Sequence, residues 1–182
     1  SMLVCVGEYL LRLKPPGKNR LLQFPVLETS FGGSEANTAA GLIRLGHPAA
    51  VATVLPDNPL GKAAHASLLS LGVDVSFIRF TKGRMGLYFL EEGALMRPSQ
   101  VVYDRSDSSF AKGNYQLWNH PDTWTPVDGL HISGISPAVS EEARDFSLLW
   151  TEEAFRRGLP ISIDLNYRSN LWQWGEQPAK VL

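Results

Sequence analysis

Apolar residues run almost unbroken through residues 2–7 (MLVCVG) and 49–55 (AAVATVL), with no alternation of polar positions. Runs this short with no solvent side predict strands buried on both faces, the setting of a central strand in a parallel sheet. LPISIDLN at 159–166 predicts another buried strand, with polar groups at its C-terminal end. GLHISG at 129–134 predicts a short strand ending in glycine, and residues 73–80 suggest one more. Helical spacing fills the gaps between these runs. One helix is expected over 34–45, stopped by Gly46. A second runs from about Pro59 to Leu71, with Asn58 as its N-cap and Gly72 behind it. The clearest helical pattern is SEEARDFSLLWTEEAFRR at 140–157. Ser140 is a good N-cap, the first turn is acidic, and the last is Arg-rich, which suits the helix dipole. Phe146, Leu149, Trp150 and Glu153 to Ala154 supply its apolar face.

Strands alternating with helices indicate an α/β fold with a parallel sheet. Two stretches break the alternation. YLLRL (9–13) and RLLQF (20–24) flank the breaker PPGKN and read as a turn-linked pair of strands. Gly86 to Glu91 and Gln100 to Tyr103 read as strands around a polar loop. The segments at about 9–24 and 86–104 are therefore expected to form an antiparallel flap on the α/β body. Residues 107–124 are polar and aromatic without clear periodicity. Ligands of open α/β sheets sit beyond the carboxyl ends of the strands. Gly7-Glu8, Gly32-Gly33, Ser133-Gly134 and Asp164 to Arg168 fall at such ends.

Composition narrows the class. The 182 residues carry a net charge of −1 and are 44% hydrophobic and 19% charged, enough for one sizeable core. The near-neutral balance and the scattered Lys and Arg give no electrostatic reason to expect nucleic acid. No apolar run approaches a membrane-spanning length, and SMLVCVGEYL lacks the basic-then-apolar pattern of a signal peptide. A cytoplasmic protein is expected. Cys5, the single cysteine, cannot form an internal disulfide and reads as a buried thiol. His47, His65, His120 and His131 show no ligand spacing, so no metal cluster is expected.

FGGSEANTAAGLIRLG, residues 31–46, carries the most chemistry per residue. A Walker loop is excluded because no GK[ST] follows, and a dinucleotide fingerprint because G-x-G-x-x-G is missing. Two readings remain for the glycine pair: a plain tight turn, or a backbone that must approach something closely. Glycine permits φ > 0 and removes the Cβ. Ala36, Ala39, Ala40 and Ile43 share one helical face. Gly41 costs the helix about 1 kcal/mol relative to Ala, which suggests another backbone packed close by. Asn37, in the first turn, either bonds local backbone or orients the glycine loop or a ligand hydroxyl.

Read from Gly32 to Gly46, the spacing G-G-x-x-x-N-x-A-x-x-L-x-x-L-G resembles the N-terminal signature of the ribokinase-like (PfkB-type) sugar kinases. GLYFLEE (86–92), VVYDRSDSS (101–109), GLHISGISPAVS (129–140) and IDLNYRSNLW (163–172) resemble one branch, the 2-keto-3-deoxygluconate kinases. The resemblance covers nearly the whole chain, in order. It implies a three-layer ribokinase-like fold with a mostly parallel central sheet and a small β-flap serving as lid, residues 1–182 being the N-terminal part of one such domain. It implies a sugar-acid kinase that uses ATP with Mg2+. Gly32, Gly33, Asn37, Tyr88, Tyr103, Asp104 and Arg105 would bind substrate. Asn166, Tyr167 and Arg168 would reach the nucleotide phosphates. Arg suits a carboxylate because its planar guanidinium makes a bidentate fork.

Blander readings stand beside these. Tyr88 could be a flap core residue and Arg105 a surface charge. Asp164 could pair locally with Arg168. Glu8 could accept a sugar hydroxyl or simply bond the flap. Family members continue into a G-A-G-D-type segment whose Asp is the general base, and no such segment occurs here. The expectation is a truncated or proteolysed chain rather than a short gene product, holding the sugar site without the base and inactive alone. A homodimer through the lid is also expected, with Leu87 and Phe89 exposed. The alternatives are a kinase for a neutral sugar such as fructose or ribose, and a non-catalytic sugar-binding or interaction module.

Overall fold

The computed structural model describes residues 1–113, 115–133 and 141–165. The five buried runs assemble into one parallel sheet. It contains β1 (Met2–Val6), β4 (Ala49–Pro56), β5 (Ile78–Thr81), β8 (Val127–Ser133) and β9 (Ile161–Asp164), in the order β5-β4-β1-β8-β9. β1 is central and pairs in parallel with both β4 and β8. Period 2 divides its side chains between two apolar layers. Val4 and Val6 enter one core with Ala52, Val54, Leu130 and Ile132. Cys5 enters the other with Val51 and Leu55. α1 (Ser34–Arg44) and α2 (Pro59–Ser70) cover the second core through Ala36, Ala39, Ala64 and Leu68. α3 (Glu141–Arg156) covers the first through Ala143, Phe146, Trp150 and Ala154. The result is three layers, helices on both faces of a parallel sheet.

The predicted helix ends hold where they can be seen. The Asn58 side chain accepts the Gly61 N–H at 3.0 Å, with Pro59 as first helical residue. Gly46 and Gly72, at φ of 82° and 79°, end α1 and α2 in the left-handed region that favours glycine. Ser140 lies outside the described residues. On α3, Leu149 is 39% exposed, so the buried stripe is Phe146, Trp150, Glu153 and Ala154. Arg156 and Arg157 both pair with the buried Glu153 carboxylate, which makes its burial tolerable. β9 is an edge strand in the described residues rather than a buried one, with Ile163 49% exposed.

The aperiodic stretch 107–124 supplies core rather than loop. Two short 3-10 turns, Tyr115–Trp118 and Pro121–Trp124, deliver Trp118 and Trp124 against Trp150 of α3, with ring centroids 5.6 and 4.6 Å apart. Phe110 meets Phe146 edge-on. Burying one such side chain contributes about 1.5–3 kcal/mol, so the absence of periodicity hid a large part of this layer's stability.

A second sheet of four strands stands apart. β2 (Leu10–Lys14), β3 (Glu28–Gly32), β6 (Leu87–Glu91) and β7 (Gln100–Asp104) lie in the order β3-β2-β6-β7. β2–β3 and β6–β7 are antiparallel hairpins, but the seam between them, β2–β6, is parallel. The strand expected at 20–24 is not formed. Those residues are turn, and Leu22 sits at φ 60° with most of its side chain in solvent. The partner of β2 is instead the polar run ETSFG, which leads directly into Gly33. Among the described residues no helix is long and apolar enough to cross a membrane.

Candidate functional site

β1 ends at Val6, and Gly7-Glu8-Tyr9 carries the chain across to the second sheet. Glu8 is buried, 5% exposed, and an ionised carboxylate there requires partners. They come from the far side of the sequence. Arg105, one residue beyond β7, donates from Nε to Glu8 Oε1 at 2.9 Å, and its Nη2 forms an ion pair with the same oxygen at 2.7 Å. The Ser108 hydroxyl donates to Glu8 Oε2 at 2.7 Å while accepting the Ala111 N–H at 3.1 Å. Gly86, just before β6, leaves room for the carboxylate: a Cβ there would lie 2.5 Å from Glu8 Oε2. Each carboxylate oxygen thus accepts one hydrogen bond, and the guanidinium balances the charge. Of the two readings of Glu8, the bond to the second sheet is the one realised. Arg105 is correspondingly buried, 9% exposed, and not a surface charge.

The glycine pair answers to space and not to torsion. Gly32 closes β3, and Gly33 is the N-cap of α1 at φ 174°, extended backbone open to any residue. A Cβ on Gly33 would lie 2.5 Å from the Glu8 carbonyl oxygen, and one on Gly32 would lie 2.5 Å from the Tyr88 hydroxyl. The junction is not a left-handed turn. It is the line where the second sheet and α1 close on the end of β1. Gly41 is different again: a Cβ there meets open space, so no neighbouring backbone explains it.

The remaining predicted residues extend this line into a circuit. Tyr88 reaches Gly32 with its hydroxyl, and its ring stands 5.9 Å from that of Tyr103. The Arg105 guanidinium lies 5.3 Å from the centre of the Tyr103 ring. Arg105 binds Glu8, whose carbonyl backs onto Gly33. Gly32, Gly33, Tyr88, Tyr103 and Arg105 are thus one connected group, closed by Glu8. Burial pushes the Tyr88 phenol up in pKa, partly opposed by the neighbouring Arg12 guanidinium, so at neutral pH it remains a hydroxyl. Asp104 stands aside, paired with Arg84 at 2.7 Å in an exposed position. The Asn37 side chain is exposed and makes no hydrogen bond among the described residues; its N–H simply bonds Gly33. Asn166, Tyr167 and Arg168 lie outside the described residues.

Sequence reasoning missed Ser108, Gly86 and Arg84. Their only signal was membership of the polar run after β7 or of the approach to β6, and their partners lie far away in the chain. Glu8 and Asp104 are each paired with a guanidinium, Glu8 buried within the circuit and Asp104 exposed beside it. The arrangement offers hydroxyls, an aromatic face and a guanidinium, which is equipment for holding a polyhydroxylated ligand. A mostly apolar cavity of about 480 Å3 beside α2, lined by Tyr9, Leu11, Phe31 and Leu60 among others, contains none of the residues of the circuit.

Comparison with known proteins bears on the family and the fold. The model of the pfkB family carbohydrate kinases matches residues 1–182. A 2-dehydro-3-deoxygalactonokinase of Haloferax volcanii is 36% identical over 93% of this chain and 53% of its own length. A fructokinase of Klebsiella pneumoniae is 29% identical over 92% of this chain and 52% of its own. The crystal structure of a 2-dehydro-3-deoxygluconokinase from Thermotoga maritima, 39% identical, superposes with a TM-score of 0.88 over 94% of this chain and 53% of that one. This chain therefore spans about half the length of the relatives it matches, and its fold is theirs, the ribokinase-like α/β fold.

Proposed function

We propose, because the chain belongs to the pfkB family of carbohydrate kinases, that its circuit of glycines, tyrosines and Arg105 is the acceptor site for a 2-keto-3-deoxy sugar acid such as 2-keto-3-deoxygluconate. The observation that carries this reading is Arg105. It is a buried guanidinium at the carboxyl end of the central sheet, set over the Tyr103 ring, which stands in turn against Tyr88. Its Nη1 has no partner among the described residues and is available to a ligand carboxylate. Tyr88 and Tyr103 would present hydroxyls and ring faces to the sugar chain, and Gly32 and Gly33 would let it approach the backbone. The second sheet would act as the lid over this site.

In the whole enzyme the γ-phosphoryl of ATP would pass to the primary hydroxyl of the sugar acid. Asn166, Tyr167 and Arg168 are the positions we assign to the phosphates. Among the described residues no three His, Cys, Asp or Glu side chains gather as a metal site, so Mg2+ would arrive held by the nucleotide. Residues 1–182 contain no G-A-G-D segment, and Glu8 and Asp104 are each paired with a guanidinium. This chain alone is therefore assigned binding without phosphotransfer. An ATP-dependent kinase of a sugar acid would work in the cytoplasm. We also assign a homodimer through the second sheet. Leu87 and Phe89 are half-buried, and the exposed apolar positions are instead Val101 and Val102 of the edge strand β7. Light scattering of V101D against the parent chain tests this.

Calorimetric titration with 2-keto-3-deoxygluconate, fructose and ribose tests the acceptor. The sugar acid should bind best, and Arg105→Ala should abolish that preference. Equal affinity of the variant for the acid would end the carboxylate assignment. A mass shift of one phosphoryl group on the sugar acid, produced with ATP by this chain, would end the binding-only assignment. One observation favours a second reading, a neutral sugar such as fructose: Arg105 is already neutralised by Glu8. Fructose binding more tightly than the acid would decide for it.

A further inference from the structure

We infer that Glu8 is a positioning residue. It holds the Arg105 guanidinium in the orientation that receives the ligand carboxylate, and it does not touch the ligand itself. The inference rests on the sugar-acid reading of the site.

The geometry supports a fixed support rather than a contact. Nε and Nη2 of Arg105 both converge on the single oxygen Oε1, so the guanidinium is held along one edge. The opposite corner, Nη1, is the part left over. The carboxylate is itself held. Ser108 fixes Oε2: a carboxylate oxygen has no proton to give, so the Ser108 hydroxyl donates to it while its oxygen accepts the Ala111 N–H. Ser108 is buried, and the Tyr103 ring lies under the guanidinium. The chain Ala111–Ser108–Glu8–Arg105 therefore transmits a backbone position to a cation. A Lys or Arg with a free stem would lose side-chain freedom on binding an anion, whereas Arg105 has already lost it. Two glycines leave the space that residue 8 occupies. Gly86 makes room for the carboxylate of Glu8, and Gly33 for its carbonyl.

The test is a double-mutant cycle in this chain, read by calorimetry with 2-keto-3-deoxygluconate and with fructose. Glu8→Gln keeps the shape and removes the charge that holds Arg105. It should weaken the sugar acid roughly 10-fold, the scale of a charged hydrogen bond, and leave fructose within about 2-fold. Added to Arg105→Ala, it should weaken the acid no further. An equal loss for both sugars, or the same loss in the Arg105→Ala background, would overturn the inference, because Glu8 would then act on the ligand or on the fold at large. Should Glu8→Gln not fold, Ser108→Ala serves in its place, with a smaller loss confined to the acid. If the parent chain binds no sugar acid, the acceptor reading fails, and the positioning claim is read separately by NMR in the ligand-free protein. Arg105 Nε–H should exchange slowly in the parent and quickly in Glu8→Gln. Equal exchange in both would overturn the claim.

Discussion

Gly33→Ala is the sharpest perturbation of the junction. Backbone torsion would not object, since φ is 174° and Ala adopts that conformation freely. The obstacle is a carbonyl oxygen, Glu8 O, at 2.5 Å from the new Cβ, with Glu8 C and Tyr9 Cα next at 3.6 Å. Comfortable separations are about 3.5 Å, so the closest contact is roughly 1 Å too short. All three of these atoms are backbone, and they belong to the segment that leaves β1, so no side-chain rotation relieves the clash. Overpacking of this kind costs about 1–3 kcal/mol, and exchanging Gly for Ala at an N-cap adds to it. At about 2–4 °C per kcal/mol for a chain of this size, the overpacking alone should lower Tm by roughly 2–12 °C. The displaced residue is Glu8, so the same variant should also loosen Arg105 and weaken the sugar acid. Differential scanning calorimetry and ligand titration read the two effects. An unchanged Tm with unchanged affinity would refute the reasoning, since it would mean that the carbonyl yields at no cost.

Gly41→Ala should do the opposite and stabilise the chain by about 0.5–1 kcal/mol, because the added methyl meets nothing and the helix gains propensity; a fall in Tm would expose a contact the structure lacks. Asn58→Ala should cost about 1 kcal/mol in urea unfolding through loss of the cap on α2, and Asn58→Asp should retain most of the stability. Burial, with Glu35 nearby, pushes the Cys5 thiol from 9.0 to about 12, so the folded protein should resist iodoacetamide at pH 9 and react only when unfolded. The unfolded chain loses this proton first as pH rises. The folded state therefore binds more protons between pH 9 and 12, and stability should drop across that window; Cys5→Ala should lessen the drop.

The central sheet was legible because its inner strands, β1 and β4 above all, are buried on both faces and read as plain apolar runs. The helix ends were legible because Asn58-Pro59, Gly46 and Gly72 have local jobs. What escaped was whatever depended on distant residues. ETSFG looks like loop because its strand faces solvent, while RLLQF looks like strand because composition cannot show that Leu22 sits at positive φ. Trp118 and Trp124 entered the core from 3-10 turns too short to leave a period. Arg105 was picked out, but its partner Glu8 lies almost a hundred residues earlier, and the pair could not be read from either end. Of the two properties the glycine pair offers, torsional freedom and a missing Cβ, the structure uses the second: the close approach was legible, but the atoms approached were not.

The seam between β2 and β6 also sets the order in which the molecule can assemble. Each hairpin of the second sheet closes a short stretch of chain and can form locally. The seam pairs Leu11 with Leu87, and everything from α1 to β5 lies between them. Closing so long a loop carries an entropy cost that is recovered only once the intervening strands and helices have brought the two hairpins side by side. The second sheet is then the last unit completed and the first released, and hydrogen exchange should find its amides opening below the free energy that protects β1 and β4. A site shared between that sheet and the body is complete only in the fully assembled chain.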